Sequence, residues 1–186
     1  MVSGELTQAG QNRRLTFGEP VMSDRPKLVD YRNNGIKPQP TFSDAEMKRR
    51  QDAIRKLMAE HKMDAALFTS YHNICYLSDF LYCYFGRRYG LVIDHQKATS
   101  VTAAIDGGQP ARRTFGDNVT YTDWEKTNYL HAVQNLTKGV KRLGIEFDHV
   151  NLDFRRDLEA ALPGVELVDI AAPAMRLRMI KSAEEI

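Results

Sequence analysis

The chain has 186 residues, 42% of them hydrophobic and 27% charged, with 26 Lys and Arg against 24 Asp and Glu for a net charge of +2. That is the size of one domain with appendages, and no stretch approaches the roughly 20 apolar residues of a membrane helix. The first residues, MVSGELTQAGQNRR, lack an apolar signal-peptide core, so the cytoplasm is the expected compartment.

Charge is spread rather than clustered. Residues 1–42 carry Arg13, Arg14, Arg25, Lys27, Arg32 and Lys37 against Glu5, Glu19, Asp24 and Asp30, and the remainder is balanced. A nucleic-acid binder concentrates basic charge on its folded part, so no nucleic-acid partner is expected. Arg49-Arg50 and Arg155-Arg156 read as solvated helix faces. Two cysteines, Cys75 and Cys83, make neither a disulfide framework nor a zinc site and are expected to be reduced, partly buried thiols. No H-x-x-x-H or H-E-x-x-H pair occurs among the histidines, so neither a metal nor another cofactor is expected.

In chain order, residues 1–42 are rich in Gly, Pro, Asn and charge and show no period, which predicts a flexible, extended arm. Ser43 with Glu46 spells a capping box, and Met47, Ile54, Leu57, Met58 and His61 share one face of the helix that follows, to about residue 61. Asp64–Thr69 has strand length. Ser70–Gly86 is polar and aromatic and reads as a loop. Tyr89–Ile93 and Thr99–Ile105 predict two strands joined by a turn at His95-Gln96-Lys97. Asp106–Pro110 is a glycine-proline turn that opens no helix, and Val119–Thr122 a fourth strand. Thr127 begins a second long helix with Leu130, Val133, Leu136, Val140 and Leu143 inward, and Gly144 stands where it should end. Gly144–Asp148 then predicts a strand, about 153–162 a short helix, Val165–Asp169 a sixth strand and Ala171–Met179 a last helix. Together these predict an α/β fold, a single mixed six-stranded β-sheet with helices on both faces. Ser182 with Glu185 announces one more helix with almost no chain left to form it, so the chain is expected to be cut from a longer one.

Several segments are specific. Phe68–Ile74, Ser78–Cys83, Phe85-Gly86-Arg87, Ile105–Pro110, Tyr121–Trp124 and Met179–Glu185 occur in an order that resembles the amino-terminal domain of creatinases, in the pita-bread family that also holds prolidases and Xaa-Pro aminopeptidases. The resemblance runs from about residue 41 to the end. It implies the ribonuclease H-like amino-terminal domain of that family over 43–179, with 1–42 as an arm and 180–186 as a stub leading into an absent catalytic domain. It further implies a homodimer in which the small domain closes over an active site. The implied reaction is metal-free hydrolysis of creatine to sarcosine and urea by a histidine and glutamates of the second domain, so this chain alone holds no catalytic residue.

By position, the resemblance implies that Phe85 and Arg87 line the substrate site. The chemistry agrees. Creatine is a zwitterion with a planar guanidinium at one end and a carboxylate at the other. An arginine fork suits the carboxylate, and a phenyl face attracts the cation by about 0.5–2 kcal/mol. In an extended segment residues 85 and 87 would face the same side. The bland alternative is a core phenyl beside a solvent arginine. Tyr89 and His72 are further positions that could line the site, the first chiefly structural and the second orienting its loop. Ser70, His72 and Asp79 do not form a nucleophile elbow, and Trp124 reads as packing. Two other functions stand beside the creatinase reading: a stand-alone binding or dimerisation module, and the amino-terminal domain of a metal-dependent Xaa-Pro peptidase. Phe85-Gly86-Arg87 suits a small guanidino acid better than a peptide.

Overall fold

A computed structural model describes residues 25–32, 35–83 and 86–186. Its strands are β1 (Leu28–Val29), β2 (Ala65–Phe68), β3 (Gly90–Asp94), β4 (Ala98–Ala103), β5 (Asp117–Tyr121), β6 (Arg142–Ile145) and β7 (Glu166–Asp169), and its helices are α1 (Asp44–Glu60), α2 (Tyr71–Ser78), α3 (Gln109–Arg113), α4 (Thr127–Leu136), α5 (Leu152–Ala161) and α6 (Ala171–Met179). The strands form one sheet in the order β1-β5-β4-β3-β2-β6-β7. β3 runs antiparallel to β2 and β4, and β1 antiparallel to β5; the remaining pairs are parallel. The predicted mixed sheet is present, with one strand more than expected. Leu28 and Val29, inside the stretch read as an arm, pair with Tyr121 and Thr120. Two residues are too few to show a period. Of that arm, residues 1–24, 33 and 34 lie outside the described residues.

Alternation along the strands sorts the core into two layers. Ala66, Phe68, Leu91 and Ile93 face α1, α2 and α6 through Ile54, Met58, Ile74, Leu77 and Ala174. Ala65, Leu67, Val92, Val101, Leu143 and Ile145 face α4 and α5 through Tyr129, Ala132, Val133, Phe154 and Leu158. The turn between β3 and β4 falls where the sequence puts it, because Asp94 Oδ1 accepts from the amides of Gln96 and Lys97 at 2.7 and 2.8 Å.

Three boundaries differ from the sequence reading. Ser70–Gly86 contains a helix, α2, rather than a loop throughout. The Asp106–Pro110 turn does open a helix, the short α3, with Pro110 in its first turn. α4 stops at Leu136 rather than near residue 143, and Thr127 does not cap it, since its hydroxyl goes to Glu125. Thr137 folds its hydroxyl back on the Val133 carbonyl at 2.8 Å, and Leu143 is a strand residue on β6. Gly144 is therefore no helix stop. It lies mid-strand where a Cβ would meet Met63 Sδ at 2.7 Å and Ile170 Cγ2 at 2.9 Å, so its lack of a side chain allows close packing.

Ser43 caps α1 as expected, accepting from the Glu46 amide. The other half of the expected box is absent, because the Glu46 carboxylate turns to Arg49 and Arg50. Arg50 is not on a solvated face: it is 3% exposed. Its guanidinium lies over the rings of Phe42 and Tyr76 at 3.9 and 4.4 Å, and donates to Glu46, to the Tyr76 carbonyl and to Glu185. A buried cation persists only when its donors are used in this way. Glu184 completes the contact by accepting from the Ser43 amide and hydroxyl at 3.0 and 2.6 Å.

Arg49, and then Arg50, hold the Glu46 carboxyl down from 4.5 to about 2. A depressed carboxyl stabilises the fold above its unfolded value and loses that contribution as pH falls through the folded one. The urea midpoint is expected to fall between about pH 4.5 and 2, and in Glu46→Gln this acid limb should flatten, with a lower midpoint at neutral pH.

Candidate functional site

The strand directions place several loops together. The carboxyl ends of β2, β4, β5, β6 and β7 and the amino end of β3 lie along one edge of the sheet. Ligands of open α/β sheets bind outside this edge. The Arg87–Tyr89 segment, which leads into β3, and Thr122–Trp124, which follows β5, are both there.

A cleft of about 1040 Å³ opens on the α4 and α5 side of this edge, lined by Arg87, Arg88, Asp123, Trp124, Gln134 and Asp153 among others. Arg87 is about two-fifths exposed, and its Nε donates to Asp123 Oδ2 at 2.9 Å. That carboxylate raises the Arg87 pKa, so the guanidinium keeps its charge. Arg88 lies over the Phe154 ring at 4.3 Å, with Asp153 at 4.0 Å. Trp124 is not a packing residue. It is more than half exposed on the cleft wall, with Arg25 5.0 Å over its ring.

The backbone behind Asp123 is tightly held. The Thr122 amide and hydroxyl donate to the carbonyls of Lys27 and Pro26 at 2.9 and 2.7 Å. Asn128 Nδ2 donates to the Thr122 carbonyl and hydroxyl, each at 3.0 Å. Both Thr122 and Asn128 are buried.

The other sequence-nominated residues sit differently. Phe85 lies outside the described residues. Gly86 has φ +75°, so the segment is not extended there, and the expectation that residues 85 and 87 share a side loses its geometric basis. Tyr89 is buried, its ring stacked on Tyr82 at 4.1 Å and its hydroxyl donating to Asp106 at 2.6 Å. Burial, then Asp106, pushes the Tyr89 phenol well above its ordinary range. Behind it, the Tyr129 hydroxyl donates to the Tyr89 carbonyl, and a Cβ on Gly90 would stand 2.5 Å from that hydroxyl. Tyr89 does not line the cleft; its ring belongs to the core layer that faces α1, α2 and α6. His72 is exposed on the first turn of α2, edge-on to Tyr71, and does not line the cleft. Ser70 is a cap on α2 rather than a nucleophile. Cys75 is half-buried, while Cys83 is exposed instead of partly buried. Among the described residues there is no group of three or more His, Cys, Asp or Glu side chains placed to hold a metal ion.

Sequence reasoning missed the carboxylate that organises this edge. Glu146, at the end of β6, is 2% exposed. It accepts from the amides of Thr69 and Ser70 at 2.6 and 2.8 Å, and from the Ser70 hydroxyl and Asn73 Nδ2, each at 2.5 Å. The end of β2 and the start of α2 are thereby fixed to the neighbouring strand.

The fold is a mixed α/β domain of the kind found as the amino-terminal domain in the pita-bread family. The sequence matches the Creatinase/Prolidase N-terminal domain over residues 50–180, and the chain belongs to that family. It is 49% identical over 167 residues to a creatinase from Bacillus sp. (strain B-0618), which amounts to 88% of this chain but only 40% of that relative's length. Among solved structures it resembles a proline dipeptidase from Streptococcus pneumoniae TIGR4 with a TM-score of 0.64 at 22% identity, covering 70% of this chain and 98% of that one. It also resembles the prolidase from Pyrococcus horikoshii OT3, with a TM-score of 0.61 at 19% identity over 74% of this chain and 37% of that one. Both structures support the fold alone. Among the described residues no helix is long and apolar enough to cross a membrane.

Replacing Glu146 by Leu strands two amides, a hydroxyl and an amide side chain. Each buried polar group left unpaired costs about 1–3 kcal/mol, so E146L is expected to lose at least about 3 kcal/mol in urea unfolding.

Proposed function

We propose that this chain is the substrate-capping and dimerisation domain of a creatinase-type amidinohydrolase, residues 43–179 forming the domain and 180–186 leading into a catalytic domain. The observation that carries the reading is the 49% identity to a creatinase across 88% of the chain, a stretch too long to omit Phe85–Tyr89. Likeness to the proline peptidases stays at the level of fold. Arg87 supports it chemically. With Nε committed to Asp123, its two Nη groups form the second edge of a planar fork, the shape that takes a carboxylate through two hydrogen bonds.

In this reading Arg87 binds the carboxylate of creatine, and Phe85 offers a ring to its guanidinium. Closure of the cleft excludes water and strengthens both contacts. Bond breaking belongs to the histidine and glutamates of the second domain, without a metal or other cofactor, and this chain by itself turns nothing over. The enzyme works as a cytoplasmic homodimer with no nucleic-acid or membrane partner.

Two measurements test this. In the full-length protein, Arg87→Ala should raise KM for creatine about 10- to 100-fold, as expected for losing a charge-assisted pair; unchanged KM and kcat would remove Arg87 from the site. The same preparation should release urea from creatine and leave Xaa-Pro dipeptides intact, whereas the opposite preference would make the parent a proline peptidase. Sedimentation of the full-length protein should give a dimer, and a monomer at micromolar concentration would contradict the dimerisation role.

A further inference from the structure

One charged group in the cleft enters the reading above only as the partner of Arg87 Nε. Asp123 lies two residues beyond β5 and is about one-fifth exposed, less than half as much as the arginine it meets. It touches Arg87 at Nε, on the side of the guanidinium nearest the chain, at 2.9 Å. A carboxylate competing with a ligand would take the outer Nη1/Nη2 edge. One bound at Nε instead stops rotation about the last bonds of the side chain and leaves the outer edge available.

The two partners differ in how firmly they are held. Asp123 follows a buried knot in which Thr122 is bonded to Lys27, Pro26 and Asn128. Arg87 follows Gly86, whose φ of +75° marks a turn outside any strand. Among the described residues Asp123 supplies the one hydrogen bond of the Arg87 side chain. The Tyr121 hydroxyl holds the Arg88 carbonyl at 2.8 Å, so the freedom left to Arg87 lies in its side chain, and Asp123 aims it.

We propose that Asp123 is a positioning residue for substrate binding, holding the Arg87 guanidinium by Nε so that its Nη1/Nη2 edge is presented to a substrate carboxylate. This rests on the reading of Arg87 as the carboxylate-binding group. The side chain itself makes no contact with substrate. Its contribution is to hold, before binding, the orientation that a flexible arginine would otherwise have to find.

The test uses Asp123→Asn in the full-length enzyme, with creatine as substrate and methylguanidine, which has the cationic end but no carboxylate, as inhibitor. KM for creatine should rise about tenfold, within the range of coupled charge pairs. The kcat should stay within about twofold, and inhibition by methylguanidine should be unchanged. In an Arg87→Ala background D123N should add nothing further. If D123N does not fold, Asp123→Glu carries the same test, because it keeps the charge but displaces it by one methylene. An unchanged KM overturns the proposal. So does a lowered KM, which would make Asp123 a competitor for the arginine, and so does an equal loss of methylguanidine binding, which would make it merely structural. Should R87A leave KM unaltered, the underlying reading of Arg87 fails instead, and the two failures are told apart.

Discussion

The carboxylate of Glu146 has almost no access to water, and the architecture of the sheet edge follows from how its charge is met. Two backbone amides, a hydroxyl and a side-chain amide converge on it. A buried carboxylate lacking such partners would be very costly; one that has them fixes everything attached to the partners. Here these are the end of β2, the cap of α2 and Asn73 in the first turn of that helix. The chain leaving α2 crosses back to enter β3, and Arg87 stands on that return path.

Local signals were the legible ones. The Ser43 cap, the apolar stripe of α1 from Met47 to Met58, the turn at His95-Gln96-Lys97 and the short apolar runs of β2 and β3 all act within a few residues, and each appears where the sequence puts it; His61, expected on the same stripe, is exposed. What escaped depends on partners distant in sequence. Ser70–Ser78 is poor in strong helix formers, yet it becomes α2 because Glu146, more than seventy residues on, receives its first donors. Leu143 continues a helical stripe until β2 claims it as a strand residue, and Gly144 fits there because Met63 and Ile170 leave no room for a side chain. Arg50 lies in a charged, helical stretch, and only the tertiary neighbours Phe42, Tyr76 and Glu185 reveal it as buried.

The site was legible to a smaller degree. Resemblance singled out Arg87, and its place at the carboxyl edge of the sheet is consistent with a binding role, but Asp123 lies 36 residues away and pairs with it only through the β4–β5 arrangement. Tyr89 shows why proximity in sequence to a nominated arginine is a poor guide. Tyr89 is only two residues on from Arg87, yet it stands immediately before β3 and its ring turns inward. The proline-peptidase structures share this scaffold at low identity, so what they have in common with this chain is the fold.

The contacts of α1 with the Ala183–Glu185 turn join positions far apart in sequence: Ser43 is bonded to Glu184, 141 residues on, and Arg50 to Glu185, 135 residues on. The domain is therefore closed upon itself like a clasped ring, with its first helix and final turn sharing one anchorage. Opening of the first turn of α1 and of the Ala183–Glu185 turn is here a joint event. A pull on the tail would be felt at once by the first turn of α1, and through Arg50 and the Tyr76 carbonyl by α2 and the edge of the sheet beyond it.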